Sequence, residues 1–338
     1  MITKRTLSSI LFFLSVITVS SGQQHTQYIG WSVYTRSNSS LPDNNAICLG
    51  LEKNDLLWVG TERGGVVKYN DTAWKVMQSN NSKLPNNSVY ALRIDNNNNK
   101  WFGTYGGGMG KYSDAGDGGK PQFTVYNTKN SLLAHDWINT IAIDKKGHVW
   151  AGAGDQGLVK FDGNEWFIFN KENSGLPDNI VYCVASDRNG DKWIGTENGG
   201  IAYYNGEEWI VYNKINSPVP DNWIVTISVD HEDNKWFGTI AGGLVKFDGK
   251  KWTVYNMENS GLPNNAVYTV AFDIRNNLWV GTGGGGLAVF DRDSTWTIFT
   301  NKNSALPKDF VYTVAIDSKG RKWIGTWRGG LALYKEPQ

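Results

Sequence analysis

The chain has 338 residues, 33 basic and 32 acidic side chains, a net charge of +1 and 13% aromatic content. That balance excludes the basic stripe of a nucleic-acid binder and the polybasic patch of a protein held on anionic lipid. Two cysteines in such a length exclude a disulfide-framed scaffold, while the size allows one large or two ordinary domains with ample core.

The first segment, "MITKRTLSSILFFLSVITVSSGQQ", has Lys4 and Arg5, an apolar run from about Leu7 to Val19, then Ser20, Ser21 and Gly22. This is the pattern of a secretory signal peptide, and its apolar run is shorter than the ~20 residues of a membrane helix. Removal of residues 1–22 leaves 31 basic and 32 acidic residues. No later apolar stretch is long enough to cross a bilayer as a helix. The expectation is an exported protein, periplasmic or extracellular, with no membrane span after cleavage.

The rest of the chain is one motif repeated seven times. A Trp-x-Gly-Thr tetrad begins at Trp58, Trp101, Trp193, Trp236, Trp279 and Trp323, with the variant "WAGA" at Trp150; successive spacings are 43, 49, 43, 43, 43 and 44 residues. A second aromatic series runs Trp31, Trp74, Phe123, Trp166, Trp209, Trp252 and Trp296, each opening a "WTVY"-like strand. Asn-Ser recurs at Asn38, Asn81, Asn130, Asn173, Asn216, Asn259 and Asn303, leading into Leu-Pro in five units.

Each unit reads as four short strands, as in "NNAVYTVAFD", "LWVGT", "GLAVF" and "WTIF" from Asn264 to Phe299, separated by Gly-, Asn- and Asp-rich turns. Four strands in about 43 residues is the period of a propeller blade. The absence of any Trp-Asp dipeptide argues against WD40 repeats. The expected fold is all-β: a seven-bladed β-propeller of four-stranded antiparallel blades. The domain plan is a signal peptide over 1–22, a short lead over 23–30 and a single propeller over 31–338. A "WSVY" strand, Trp31 to Tyr34, should complete a last blade that ends in "LALY", Leu331 to Tyr334, so that the N-terminal strand closes the ring and removes a free edge.

The motif tryptophans are expected to be core. The aspartates ending the first strand (Asp95, Asp144, Asp187, Asp230, Asp273 and Asp317, with Glu52 in the first copy) suit hairpin turns capped by their own side chains better than a calcium loop, which would need a bidentate Glu. Cys48 and Cys183 occupy equivalent positions held elsewhere by Ala or Thr and read as small packed residues, unbridged. The run "GTGGGG" at Gly281 to Gly286 fails as a phosphate loop, because a strand rather than a helix follows it. No metal-spaced histidine pair and no cofactor motif is found.

The unit "NSGLPNNAVYTVAFDIRNNLWVGTGGGGLAVFD" (Asn259 to Asp291) resembles the two-component regulator propeller repeat, whose pattern is Leu-Pro-x-Asn, an aliphatic strand, Asp, Trp-x-Gly-Thr, Gly-Gly-Leu and an aromatic. The resemblance covers essentially the whole chain after the signal. It implies an extracytoplasmic sensing propeller of the kind carried by hybrid histidine kinases, often in glycan-using Bacteroidetes, that responds to oligosaccharides. Here one propeller stands without a following kinase or transmembrane segment, so the expectation is a stand-alone sensor-like module with no signalling domain of its own.

Repeats also provide their own control. Positions common to all copies are explained by the blade, whereas positions that differ are free to bind. The third residue after the Leu-Pro proline is Asn45, Ser88, Trp137, Ile180, Trp223, Ala266 or Phe310. The pair after Trp-x-Gly-Thr is Glu62-Arg63, Tyr105-Gly106, Gly154-Asp155, Glu197-Asn198, Ile240-Ala241, Gly283-Gly284 or Trp327-Arg328. Antiparallel connectivity puts both sets at one mouth of the central channel. Of 16 tryptophans only Trp137, Trp223 and Trp327 lie outside the two motif series, and all three fall here.

The candidate ligand-binding residues are therefore Trp137, Trp223, Phe310, Trp327, Arg328, Arg63, Glu62, Tyr105, Asp155 and Glu197. Aromatic rings beside charged and amide groups suit an oligosaccharide, and equally a protein or peptide partner; they could also do no more than plug the channel. Catalysis has less support. No nucleophile elbow occurs, and Glu62, Asp155 and Glu197 would have to converge as a carboxylate pair for a hydrolase or lyase. A purely structural scaffold is the remaining alternative. The insertion "SDAGDGGKPQ", Ser113 to Gln122, is expected on the opposite face.

Overall fold

The computed structural model describes residues 28–115, 119–291 and 295–337; residues 1–22, which the sequence marks as an expected signal peptide, and part of the Ser113–Gln122 insertion lie outside the described residues. Among the described residues, twenty-eight strands form seven four-stranded antiparallel sheets. The first complete sheet is β2 (Ala46–Leu51), β3 (Leu57–Thr61), β4 (Val66–Tyr69) and β5 (Trp74–Met77), hydrogen bonded in that order from the channel outward. Five more sheets repeat it. The last is formed by β26 (Val311–Ile316), β27 (Lys322–Thr326), β28 (Gly330–Tyr334) and, from the other end of the chain, β1 (Trp31–Tyr34). β1 pairs with β28 in the register Trp31↔Tyr334 to Tyr34↔Leu331, closing the ring as expected.

The second strand of every blade is buried along its whole length, which is why "LWVGT" and "KWFGT" read as near-continuous apolar runs rather than alternating ones. Its tryptophan packs between blades: Trp58 and Trp323 are fully buried, and the other five copies nearly so. The outer tryptophans are half-buried and stack on the aromatic that faces them across the strand pair, as in Tyr69–Trp74 at 4.2 Å and Phe161–Trp166 at 4.4 Å between ring centroids. Both series are thus structural.

The turn after the first strand explains the repeated aspartate. Asp230 Oδ1 accepts the amide N–H groups of Glu232 and Asn234, both at 2.9 Å, and its Oδ2 accepts Trp236 Nε1–H at 2.9 Å. The expected Asx turn is present, and it also satisfies the buried indole. A lysine from the next blade adds a clasp between sheets. Lys100 Nζ lies 3.0 Å from Glu52 Oε1, Lys192 Nζ 3.5 Å from Asp144 Oδ2, and Lys235 Nζ 3.7 Å from Asp187 Oδ2. Lys100 is itself fully buried, which a lysine tolerates only when paired. These turns and clasps occupy the far face of the ring, as does the described part of the insertion, whose Asp114 takes ion pairs from Lys68 and Lys100.

Cys48 and Cys183 are buried, unbridged and positioned by carbonyl contacts from the following blade, at Val89 O and Ile224 O. Burial pushes the Cys48 thiol up to about 12 and raises that of Cys183 as well.

Candidate functional site

The repeats share local devices that build the opposite face, with Ala153 in place of the threonine in blade three and Asp136 and Asp309 in place of the asparagine in two copies. The Trp-x-Gly-Thr threonine donates its hydroxyl to the glycine carbonyl four residues on, as in Thr61 to Gly65 O at 2.8 Å, which tightens the turn between strands two and three. The N–H of that glycine then donates to the carbonyl of the next blade's Leu-Pro-x-Asn asparagine, as in Gly65 to Asn87 O at 2.8 Å. The glycine sits at φ 83°, and a Cβ there would meet Met77 O at 2.3 Å, so no other residue fits. The asparagine's own side chain accepts the N–H eight residues upstream, as in Asn87 Oδ1 from Ser79 at 2.8 Å. Motif residues therefore clamp the turns, and the residues between them are left to project from the face.

Those intervening residues are the two variable sets, and backbone hydrogen bonds join them in six blades: Glu62 to Asn45, Tyr105 to Ser88, Glu197 to Ile180, Ile240 to Trp223, Gly283 to Ala266 and Trp327 to Phe310, at 2.9–3.1 Å. Blade three is the exception. Ala153 replaces the threonine, Gln156 N–H bonds Ala153 O instead, and Asp155 is exposed beside Gln156 Nε2.

The mouth residues gather into groups. Phe310 packs against Tyr268 at 4.7 Å, Tyr312 at 4.8 Å and Trp327 at 5.6 Å, and the Arg328 guanidinium lies 4.4 Å over the Trp327 ring. Trp137 meets Tyr105 edge-on at 4.6 Å, and Trp223 packs on Tyr182 at 5.7 Å. Trp327 and Tyr105 are 40% and 49% exposed, whereas Trp137 and Trp223 are half-buried with indole N–H groups that are buried and without a partner. Glu62 accepts from the Asn45 amide and lies 4.0 Å from Arg63, and Asn45 Oδ1 accepts Arg328 N–H at 2.6 Å. Arg328 is held at φ 58°, a left-handed conformation uncommon for a non-glycine residue.

Glu62, Asp155 and Glu197 come from separate blades, with Glu62 held by the Asn45 amide and Asp155 by Gln156. The Gln156 side chain holds the Asp155 carboxyl below its usual range, the opposite of what a general acid needs. His135 is absorbed by the fold: its Nδ1 accepts Trp137 N–H at 2.9 Å, the bond that Asp221 makes to Trp223.

A second ring of residues was not evident from the sequence. In all seven blades the pairing of strands one and two shifts register after the first residue of strand one. The residue skipped by the shift is Ile47, Tyr90, Asn139, Tyr182, Val225, Tyr268 or Tyr312, and all seven line a channel cavity of about 350 Å3. A bulge re-aims its extra side chain, here into the channel. The signal lay in the spoiled alternation of "AVYTVAF", where Val267, Tyr268 and Thr269 cannot all obey a period of two. Burial raises the phenol pKa of Tyr90, Tyr182, Tyr268 and Tyr312, so they remain neutral hydrogen-bonding groups.

A closed ring of seven four-stranded antiparallel blades, with its side-chain variety collected at one channel mouth, defines a seven-bladed β-propeller. Three stretches, residues 83–106, 175–198 and 261–284, match the family model described as "Two component regulator propeller". No curated protein matches the sequence. Among solved structures, the extracellular domain of BT3049 from B. thetaiotaomicron, described as a hybrid two component system, shares 24% identity at a TM-score of 0.78 over 90% of this chain and 41% of its own. PorZ, a surface component of the type-IX secretion system of Porphyromonas gingivalis, shares 19% identity at a TM-score of 0.69 over 86% of this chain and 46% of its own. YCF48 bound to D1 peptide shares 14% identity at a TM-score of 0.66 over 92% of this chain and 98% of its own. The likeness to these is one of fold, and the chain spans less than half the length of the first two. No helix among the described residues is long and apolar enough to cross a membrane.

Proposed function

We propose that this chain is an exported recognition module that binds an oligosaccharide at the variable mouth and performs no chemistry on it. One observation carries the proposal. The three tryptophans that the blade does not require converge on this face, and two of them, Trp137 and Trp223, hold buried indole N–H groups with no acceptor. A buried donor left unpaired costs about 1–3 kcal/mol, so a ligand hydroxyl that supplies the acceptor recovers that cost on binding. Ring faces stack on the apolar C–H patches of sugars, while Glu62, Arg63, Arg328 and Glu197 offer partners for hydroxyls. Tyr105, Phe310 and Asp155 complete the rim.

A peptide or protein partner is the second reading, favoured by the exposed Trp327 under the Arg328 guanidinium, since Trp and Arg dominate protein hot spots. The test is calorimetric titration of purified protein with neutral oligosaccharides, alongside Trp223→Ala, Trp327→Ala and Arg328→Ala. Saturable binding without new reducing ends, weakened in these variants, is the expected result. Unchanged binding in all three removes the mouth as the site, and product release replaces a binder with an enzyme.

A further inference from the structure

Among the described residues that line the channel cavity, one is a cation. Arg93 lies three residues down the inner strand from Tyr90, about 10 Å along a strand, and it lines the same cavity as Tyr90, Tyr182, Tyr268, Tyr312 and Trp223. The blade does not ask for it. The equivalent positions are Gly50, Ala142, Ala185, Ser228, Ala271 and Ala315. Its guanidinium donates one hydrogen bond, to Leu92 O at 2.8 Å, and among the described residues it has no carboxylate partner. Protein crowds it on all sides while water still reaches it within the channel, and that loss of bulk solvent lowers its pKa. A guanidinium that lines a cavity without a carboxylate partner is free to pair with an incoming anion.

Resting on the oligosaccharide reading of the mouth, we propose that the channel receives an acidic sugar residue whose carboxylate pairs with Arg93. The cavity chemistry selects this class. Among the described residues that line it, Arg93 and Glu62 alone are charged, so one negative charge is matched at Arg93, whereas a phosphate dianion would be half-neutralised there. Four phenols, the Asn139 amide and a ring of threonines line the path, a hydroxyl-rich wall suited to a polyol. Trp223 Nε1 adds the unpaired donor at the entrance. At about 350 Å3 the cavity lies at the lower end of small-molecule sites, about 300–1,000 Å3, which fits a terminal residue rather than a threaded chain. A guanidinium offers a planar fork to a carboxylate, and such a bidentate pair fixes orientation as well as charge.

The experiment titrates the whole protein with galacturonate oligomers and with neutral galactose oligomers of equal length, and repeats both with Arg93→Gln and Arg93→Met. The expected result is tighter binding of the acidic series, weakened about 10- to 100-fold in both variants, while neutral binding is unchanged. Added salt should weaken only the acidic series, a readout on the unmodified protein that holds even if a variant misfolds. Equal affinity for acidic and neutral oligomers, or undiminished acidic binding by Arg93→Gln, overturns the assignment and leaves the mouth reading intact. Acidic binding that needs Arg93 but ignores Trp223→Ala and Trp327→Ala keeps the channel site and removes the mouth. If neither series binds, both fall.

Discussion

The two faces of the ring are cut from the same repeat, yet they spend their side chains differently. On the far face nearly every turn repeats one arrangement: a carboxylate that holds its own turn, an indole N–H on its second oxygen, and in several blades a lysine from the neighbour. On the mouth face the backbone is just as regular, with the same glycine and asparagine clamps, but the projecting residues range from Gly283 to Trp327. The uniform face holds the blades together and the varied face is free to recognise something. This division makes opposite demands on substitutions at the two ends.

The largest effect should come from opening the ring. Deleting Trp31–Tyr34 removes all four β1–β28 pairs and leaves Tyr334 and Phe299 without the Trp31 ring that packs on both. The variant should lose its cooperative thermal transition, which calorimetry would show; an unchanged melting curve would sink the closure argument. Next comes the blade interface. Trp323→Ala empties a fully buried site and should cost about 3–5 kcal/mol in chemical denaturation.

Asp230→Ala tests the far-face clasp more gently. It leaves Trp236 Nε1 and two turn amides without their acceptor, an expected loss of about 1–3 kcal/mol. The same group should give the protein an acid limb. Burial alone would raise the carboxyl pKa values of Asp230 and Asp144. The bonds they accept outweigh it, with Lys192 also acting on Asp144, and hold both below the ordinary 3.8. A carboxyl depressed on folding binds its proton more weakly in the folded state, so its stabilisation is complete above the unfolded pKa and is lost as pH falls through the folded one. Stability should therefore decline below about pH 4, and less steeply in Asp230→Ala. Denaturation midpoints from pH 6 to pH 2.5 measure this directly.

How much of this was legible beforehand follows the same division between faces. The blade count, the closing strand and the structural role of both tryptophan series could be read because seven copies state each requirement seven times. The aspartate turn was also legible, but its grip on the indole six residues later and on the neighbouring lysine was not, since the lysine is distant in sequence. The inner ring of Tyr90, Tyr182, Tyr268 and Tyr312 was hidden for a different reason. A bulge moves one residue out of the alternating pattern, and pattern reading passes over the residue that breaks the pattern. Arg93 was missed with it, because only the fold shows that a lone cation among Gly, Ala and Ser copies faces a cavity.

The smallest change in stability should carry a sharp consequence for binding. In Trp223→Phe the ring that packs on Tyr182 is kept and the unpaired buried N–H is removed. Because nothing among the described residues accepts that N–H, its loss should leave stability unchanged or raise it by up to about 1 kcal/mol. If a ligand hydroxyl accepts it, the same substitution should weaken binding about tenfold. Stability and affinity then move in opposite directions, as expected where a residue is kept for recognition at a cost to the fold. Trp323→Phe, at the blade interface, strips an indole N–H that Asp317 accepts at 3.1 Å, so there stability should fall while affinity holds. Opposite outcomes for one substitution at the two positions would establish the division of labour between the faces; parallel outcomes would dissolve it.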